Sequence, residues 1–227
     1  MEHETEEKKL SLTVGTLEVQ NAKGCDTDQQ ITSSNEASCL FGDTPYYFIG
    51  RYISNTSYES AEDLQSTELE YLCSQGWYVA VIQHALNSTE ELTATLGTEI
   101  AKNAINNAIS IGVPSGVYLW LDIENYPSSS DAIGFCRAWA NEVNLNSPYY
   151  PALYYGAPGL DASQIEGLVN STYFLAGWAG CGAPTGIGES VNQGPCDITM
   201  SCNGSYVVSI DEDTLLATSL SGFVVQG

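Results

Sequence analysis

From Lys23 onward the chain keeps a rhythm that few folds can accept: short runs rich in β-branched and aromatic residues alternate with stretches of helical spacing, five times in succession. The strands are predicted at Lys23–Asp26, Tyr46–Tyr52, Trp77–Gln83, Gly116–Asp122 and Ala152–Tyr155. The helices are predicted at Ile31–Leu40, Leu64–Ser74, Gly97–Ile111, Asp131–Val143 and Asp161–Val169. In the longest of them Ala101, Ala104, Ile105, Ala108 and Ile109 share one face, and Gly112 and Pro114 stop it. A strand followed by a helix and a further strand closes only as a right-handed crossover onto a parallel sheet. The rhythm then breaks. Tyr173–Trp178 is a sixth strand with no helix after it, and residues 179–196 are rich in Gly and Pro. Asp197–Ser201 and Tyr206–Ile210 read as two strands joined through Asn203-Gly204, a hairpin signal. Eight strands with five helices make an α/β chain and a TIM-like (β/α)5β3 barrel, whose last three strands lack helices.

A chain of 227 residues suits one such domain. Its organisation is expected to be an acidic tail and a peripheral strand over residues 1–22, the barrel over 23–214 and a C-terminal segment over 215–227. The formal net charge is -22, from 28 acidic and 6 basic residues. Such a surface repels phosphate backbones and anionic membranes, and it favours neutral or cationic partners. No apolar run is long enough to span a bilayer. The opening MEHETEEKKL is acidic and lacks the apolar core of a signal peptide, so either the protein is intracellular or a signal has been removed.

Seven cysteines form no C-x-x-C pair, and only His3 and His84 could join them, so neither a zinc site nor another metal centre is expected; no cofactor is expected either. Cys181, Cys196 and Cys202 lie in a Gly/Pro-rich region that a disulfide would staple, whereas Cys136 sits on an apolar helix face. Together with N-x-S/T sequons at Asn55, Asn87, Asn170 and Asn203, the cysteines favour an oxidising, extracellular setting for a secreted protein.

In a parallel barrel the chemistry lies at the C-terminal ends of the strands. Those ends carry Asp26, Arg51, Gln83 with His84, Asp122 with Glu124, Tyr154 with Tyr155, Trp178, and Asp211 with Asp213. Residues i and i+2 of a strand face one way, so Asp122 and Glu124 stand together, within roughly 7 Å. Like charges that close raise one pKa; the raised group donates a proton to a glycosidic oxygen, and its partner stabilises positive charge or acts as nucleophile. A D-x-E pair alone is commonly a solvated loop; here it ends the apolar run VYLWL. The other residues have plainer readings beside the functional one. His84 is either a satisfied structural histidine or a substrate contact. Arg51 pairs with a buried carboxylate more often than it binds substrate. Tyr154, Tyr155 and Trp178 are core residues as often as sugar platforms, and one of Asp211 and Asp213 caps a turn. Calcium is a rival use for the carboxylates, but EF-hand spacing is absent.

The segments KGCDTDQQIT, FIGRYIS, AVIQHAL, LGTEIAKNAINNAISIGVPSGVYLWLDIE, CRAWANEV, PALYYGAPGL and VSIDEDT, in order over about residues 23–214, resemble the glycoside hydrolase-like domains of the Rv2525c-like group, related to the family 25 lysozymes. The resemblance implies the same barrel. It places the catalytic acid on Glu124, assisted by Asp122, with Asp26 from the first strand and Asp211 from the last. It implies acid/base cleavage of an N-acetylhexosamine polysaccharide of the peptidoglycan kind. Gln83, His84, Tyr154, Trp178 and Arg51 are the expected substrate contacts. The sequence departs from the lysozymes at Cys25, at SIDED in place of V-D-x-N, and over residues 179–203. These departures sustain a second reading, a catalytically silent barrel that binds glycan or serves a protein assembly.

Overall fold

The computed structural model describes residues 11–31, 37, 40, 46–169, 171–202 and 206–227. The expected charged tail, most of the helix at 31–40, the Asn203-Gly204 turn, Cys39 and the sequons at Asn170 and Asn203 lie outside the described residues. In chain order the elements are β1 (Leu12–Leu17), β2 (Lys23–Thr27), β3 (Tyr46–Ile53), α1 (Ser66–Ser74), β4 (Tyr78–Gln83), α2 (Ala94–Ser110), β5 (Tyr118–Ile123), α3 (Ala132–Asn146), β6 (Tyr150–Tyr155), α4 (Ala162–Val169), β7 (Gly177–Ala179), β8 (Val191–Gln193), β9 (Ile198–Cys202), β10 (Tyr206–Leu215) and β11 (Leu220–Gln226). Side chains that accept backbone N–H groups cap three helices: Thr93 holds Leu96 N for α2, Asp131 holds Gly134 N for α3, and Asp161 holds Gln164 N for α4.

Eight strands close a barrel: β2 to β8 run parallel in sequence order, the β4–β5 pairing included, and β10 shuts the gap between β8 and β2. It does so antiparallel to both neighbours. Two expectations are corrected here. The last barrel strand is not parallel, because the hairpin with β9 turns the chain round before it enters the barrel. The seventh barrel strand is Val191–Gln193, inside the Gly/Pro-rich stretch, while β9 pairs only with the first half of β10. A three-residue strand carries too little pattern for periodicity to find.

Pleat alternation divides the apolar residues into two cores. Ile49, Ile53, Val79, Val81, Leu119 and Leu121 face the helices. Phe48, Ala80, Ile82, Trp120, Ala152, Trp178 and Val191 fill the barrel interior. Gly50 is small because a Cβ there would come within 2.7 Å of Ile82 Cδ1 and 2.8 Å of the Asp26 Cβ. The N-terminal end of the barrel is plugged by an antiparallel ribbon of β1 and β11, which touches β4 at Val79. Leu17, Leu220 and Phe223 of this ribbon pack on Phe48, Trp178 and their neighbours. Leu220–Gln226 therefore forms part of the floor of the barrel. Cys181 and Cys196 form a disulfide beside the mouth, and Cys25, Cys73 and Cys136 are buried free thiols.

Candidate functional site

The C-terminal mouth of the barrel holds a cleft of about 340 Å³, lined by Asp26, Thr27, Asp28, Tyr52, His84, Ala85, Asp122, Glu124, Asp197, Ser209, Ile210 and Asp211. Six of these twelve residues are acidic and none is Lys or Arg.

Asp122 is the penultimate residue of β5, faces inward, and is only 7 % exposed. The backbone at Ala85 offers its carboxylate one hydrogen bond, while Oδ1 has no partner. Burial, then the nearby charges of Glu124 and Asp26, hold it well above the usual carboxylate range. Glu124 follows the strand and is half-buried; burial and then Asp211 push it upward as well. Of the pair, Asp122 is the one held furthest from ionising, because it lies deeper. Two local features aim Glu124. Asn125 turns the chain with φ 50, a value asparagine tolerates, and its N–H donates to Pro158 O at 2.6 Å. Gly156 leaves room for the carboxyl, since a Cβ there would overlap Glu124 Oε2.

Across the cleft, Asp26 on β2 sits opposite Asp211 on β10 in register. Asp26 Oδ1 accepts from Tyr52 Oη at 2.9 Å, and Oδ2 accepts from Gln193 Nε2 at 2.6 Å. Burial, then Asp211, raise it to about 7 against the opposing pull of those bonds. Asp211 accepts from Asp197 N at 2.6 Å and from Gln193 Nε2 at 3.0 Å. Gln193 therefore bridges both carboxylates, and its Oε1 accepts from Tyr154 Oη at 3.1 Å. Beneath them Asp213 is fully buried. Its Oδ1 accepts from Trp178 Nε1 at 2.9 Å. Burial, followed by Asp26, keeps Asp213 well above the carboxylate range, and its Oδ2 has no hydrogen-bond partner.

Five of the nine residues singled out in the sequence line the cleft: Asp26, His84, Asp122, Glu124 and Asp211. The His84 ring stacks on Tyr52 with centroids 4.7 Å apart, and its Nε2 lies 3.0 Å from Asp63 Oδ1. Tyr154 and Trp178 lie one layer below, buried among the interior aromatics, where they hold Gln193 and Asp213. Arg51 and Gln83 are not brought to the cleft, because their pleat positions point out of the barrel. Arg51 is fully buried against Glu68, with Nε 2.7 Å from Oε1, and also donates to Thr27 O and Glu62 O. Gln83 is buried between Trp139 Nε1 at 2.7 Å and Ile100 O at 2.8 Å. Gln193, Tyr52, Asp28 and Asp197 were not singled out in the sequence, whereas Asp213 was named there beside Asp211 at the last strand end.

Among the described residues, the only group of three His, Cys, Asp or Glu ligand atoms within 4.8 Å of one another is Cys181, Cys196 and Asp211, and its two sulfurs are joined to each other. Residues 39–187 match the Rv2525c-like, glycoside hydrolase-like domain. The chain belongs to the Rv2525c-like glycoside hydrolase-like family. The match includes His84, Asp122 and Glu124 and stops short of Asp26, Gln193 and Asp211 on either side. No curated protein matches the chain. Among solved structures the fold is shared with the Mycobacterium tuberculosis Tat-secreted protein Rv2525c in complex with L-tartrate, at TM-score 0.65 and 17% identity over 87% of this chain and 97% of that one. It is shared with the catalytic domain of endolysin ply40 from a Listeria monocytogenes bacteriophage, at 0.55 and 18% over 86% and 93%. It is shared too with the Streptococcus pneumoniae modular autolysin LytC, at 0.60 and 12% over 88% and 52%. No helix of the described residues in this family member is long and apolar enough to cross a membrane.

Proposed function

We propose that this member of the Rv2525c-like family is a glycoside hydrolase that cleaves an N-acetylhexosamine-containing, peptidoglycan-like polysaccharide by carboxylate acid/base catalysis. The observation that carries the reading is the convergence of Asp26, Asp122, Glu124 and Asp211 on one open cleft at the C-terminal mouth. Likeness to the peptidoglycan-lytic barrels, one of them also solved with a synthetic peptidoglycan ligand, supports the substrate class. Glu124 is the proton donor: it is raised by burial yet remains half-exposed, so a glycosidic oxygen reaches it. Asp122, whose side chain lines the cleft and whose buried Oδ1 has no protein partner, orients the substituent on the sugar nitrogen. Asp26 and Asp211 stabilise positive charge as the bond breaks, and Gln193 holds both in place. His84 and Tyr52 present one wall to the sugar. The Cys181–Cys196 disulfide fits an extracellular workplace. The acidic surface argues against nucleic acid as a partner.

Removal of a general acid lowers turnover by about 10²–10⁴-fold. Glu124→Gln is therefore expected to lose that much activity on purified peptidoglycan while its thermal midpoint stays with the parent. Full activity in that variant would refute the assignment. A glycan-binding barrel without turnover, alone or with a protein assembly partner, is the second reading. It is favoured by the prior engagement of Asp26 and Asp211 by Gln193, and binding of glycan without cleavage by the parent protein would select it.

A further inference from the structure

The cleft is more acidic than a pair of catalytic carboxyls requires. Asp28 and Asp197 add two exposed carboxylates at the rim to Asp26, Asp122, Glu124 and Asp211. Asp213 lies directly beneath. Among the described residues no Lys or Arg lines the cleft to answer them. Lys23 is drawn to Glu212 at 2.6 Å, and Arg51 is sealed behind β3 with Glu68. Neither lines the cleft. In the wall, Asp122 is more than nine-tenths buried and its Oδ1 finds no protein partner. A buried, unpartnered carboxyl oxygen in a site is a vacancy for a donor. We infer that the unit held across this cleft is a hexosamine whose amino group is free and protonated, flanked in the polymer by N-acetylated units. The inference rests on the hydrolase reading and names the sugar at its centre.

The alternatives fit less well. An acetamido group brings one N–H and a carbonyl oxygen, and the carbonyl would face carboxylates. An ammonium brings three donors and a full charge. A metal ion needs several ligand atoms converging on one point, and no three carboxylates of this cleft, among the described residues, bring theirs within 4.8 Å. A sugar ammonium needs one or two at a time and suits an open cleft of small-ligand size. The upward shifts of Asp26, Asp122, Glu124 and Asp211 arise from burial and from neighbouring carboxylates of the cleft, for Asp211 those of Asp197 and Asp28, and a bound cation relieves them.

The test compares glucosamine tetrasaccharide with N-acetylglucosamine tetrasaccharide by calorimetry, using full-length Glu124→Gln protein at near-neutral pH and low salt. The amine form is expected to bind about 10-fold tighter or more, with the preference shrinking as salt rises. Adding Asp28→Asn and Asp197→Asn is expected to reduce the preference by about 3- to 10-fold. Asparagine suits the φ of 55 at position 197 and leaves its backbone N–H on Asp211. A control pair towards the opposite pole, Glu18→Gln just after β1 with Glu142→Gln late in α3, is expected to leave the preference unchanged. An equal loss in the control pair would show diffuse attraction to an acidic surface and overturn the inference. Equal or tighter binding of the acetylated sugar would overturn it and leave the hydrolase reading standing. Calcium chloride that binds stoichiometrically and displaces the amine sugar would replace it with a metal site. Binding of neither sugar, with no cleavage of either by the parent protein, would sink both readings together.

Discussion

Asp26→Asn is expected to make the protein more stable at alkaline pH than the parent, although it alters the candidate site. The buried Asp26 carboxyl is raised from 3.8 to about 7 by burial and by Asp211. A carboxyl raised in the folded state holds its proton more tightly there than in the unfolded chain. Stability from this source is full below the unfolded value and is lost as pH rises through the folded one. Between about pH 5 and about pH 8 the loss attributable to Asp26 is about 2–3 kcal/mol, from the linkage relation with those two values. Asparagine has no charge to bury, so that loss disappears. It also replaces an acceptor of Gln193 Nε2 with a donor unless Gln193 turns over, which costs about 1–2 kcal/mol at every pH. By the same relation about 2 kcal/mol is already lost by about pH 5, so the variant is expected to be weaker below about pH 4, level near pH 5 and about 2–3 kcal/mol stronger near pH 8. Urea unfolding followed by tryptophan fluorescence at these pH values measures this, read as the difference in slope between the two proteins because Asp26 titrates together with Asp211 and Asp213. Parallel pH dependences would refute the argument that burial and Asp211 hold a proton on this carboxyl.

Two further expectations follow from single contacts. Gly156→Ala places a Cβ on the Glu124 carboxyl, so turnover is expected to fall at least about 10-fold while the unfolding midpoint moves little; unchanged kcat would show that Glu124 does not depend on this packing. Arg51→Met leaves Glu68 buried without its cation, which costs about 3–5 kcal/mol in chemical unfolding, while activity per folded molecule is retained; a selective loss of activity would restore Arg51 to the site.

Most of the barrel was legible because buried parallel strands are apolar runs and their crossover helices carry an apolar face. The end of the barrel was not. Val191–Gln193 is too short to register, and the direction of β10 is decided by its hairpin with β9, which composition does not reveal. The acidic positions Asp26, Asp122, Glu124 and Asp211 were readable because they stand at strand ends, and the structure gathers them at one cleft. Arg51 and Gln83 were misplaced because proximity to a strand end was counted without pleat parity. Gln83 pairs with Leu121, the outward neighbour of Asp122, so its side chain had to point away from the mouth. Asp213 shares the parity of Asp211, but the reversed strand carries it down into the barrel, beneath the mouth where Asp211 stays.

The β1–β11 ribbon that plugs the barrel also joins the two ends of the described chain. Gly227 N donates to Ser11 O at 2.7 Å, and the strands run antiparallel from there to the Leu17–Leu220 pair. A force that draws these two ends apart would load the ribbon bonds one after another, as a zipper opens, rather than all at once in shear. The ribbon would peel and uncover Phe223 and Phe48 before tension reached any strand of the closed ring. The weakest mechanical point of this molecule is thus its floor, at the pole opposite the carboxylates, and the cleft keeps its shape until that floor has gone.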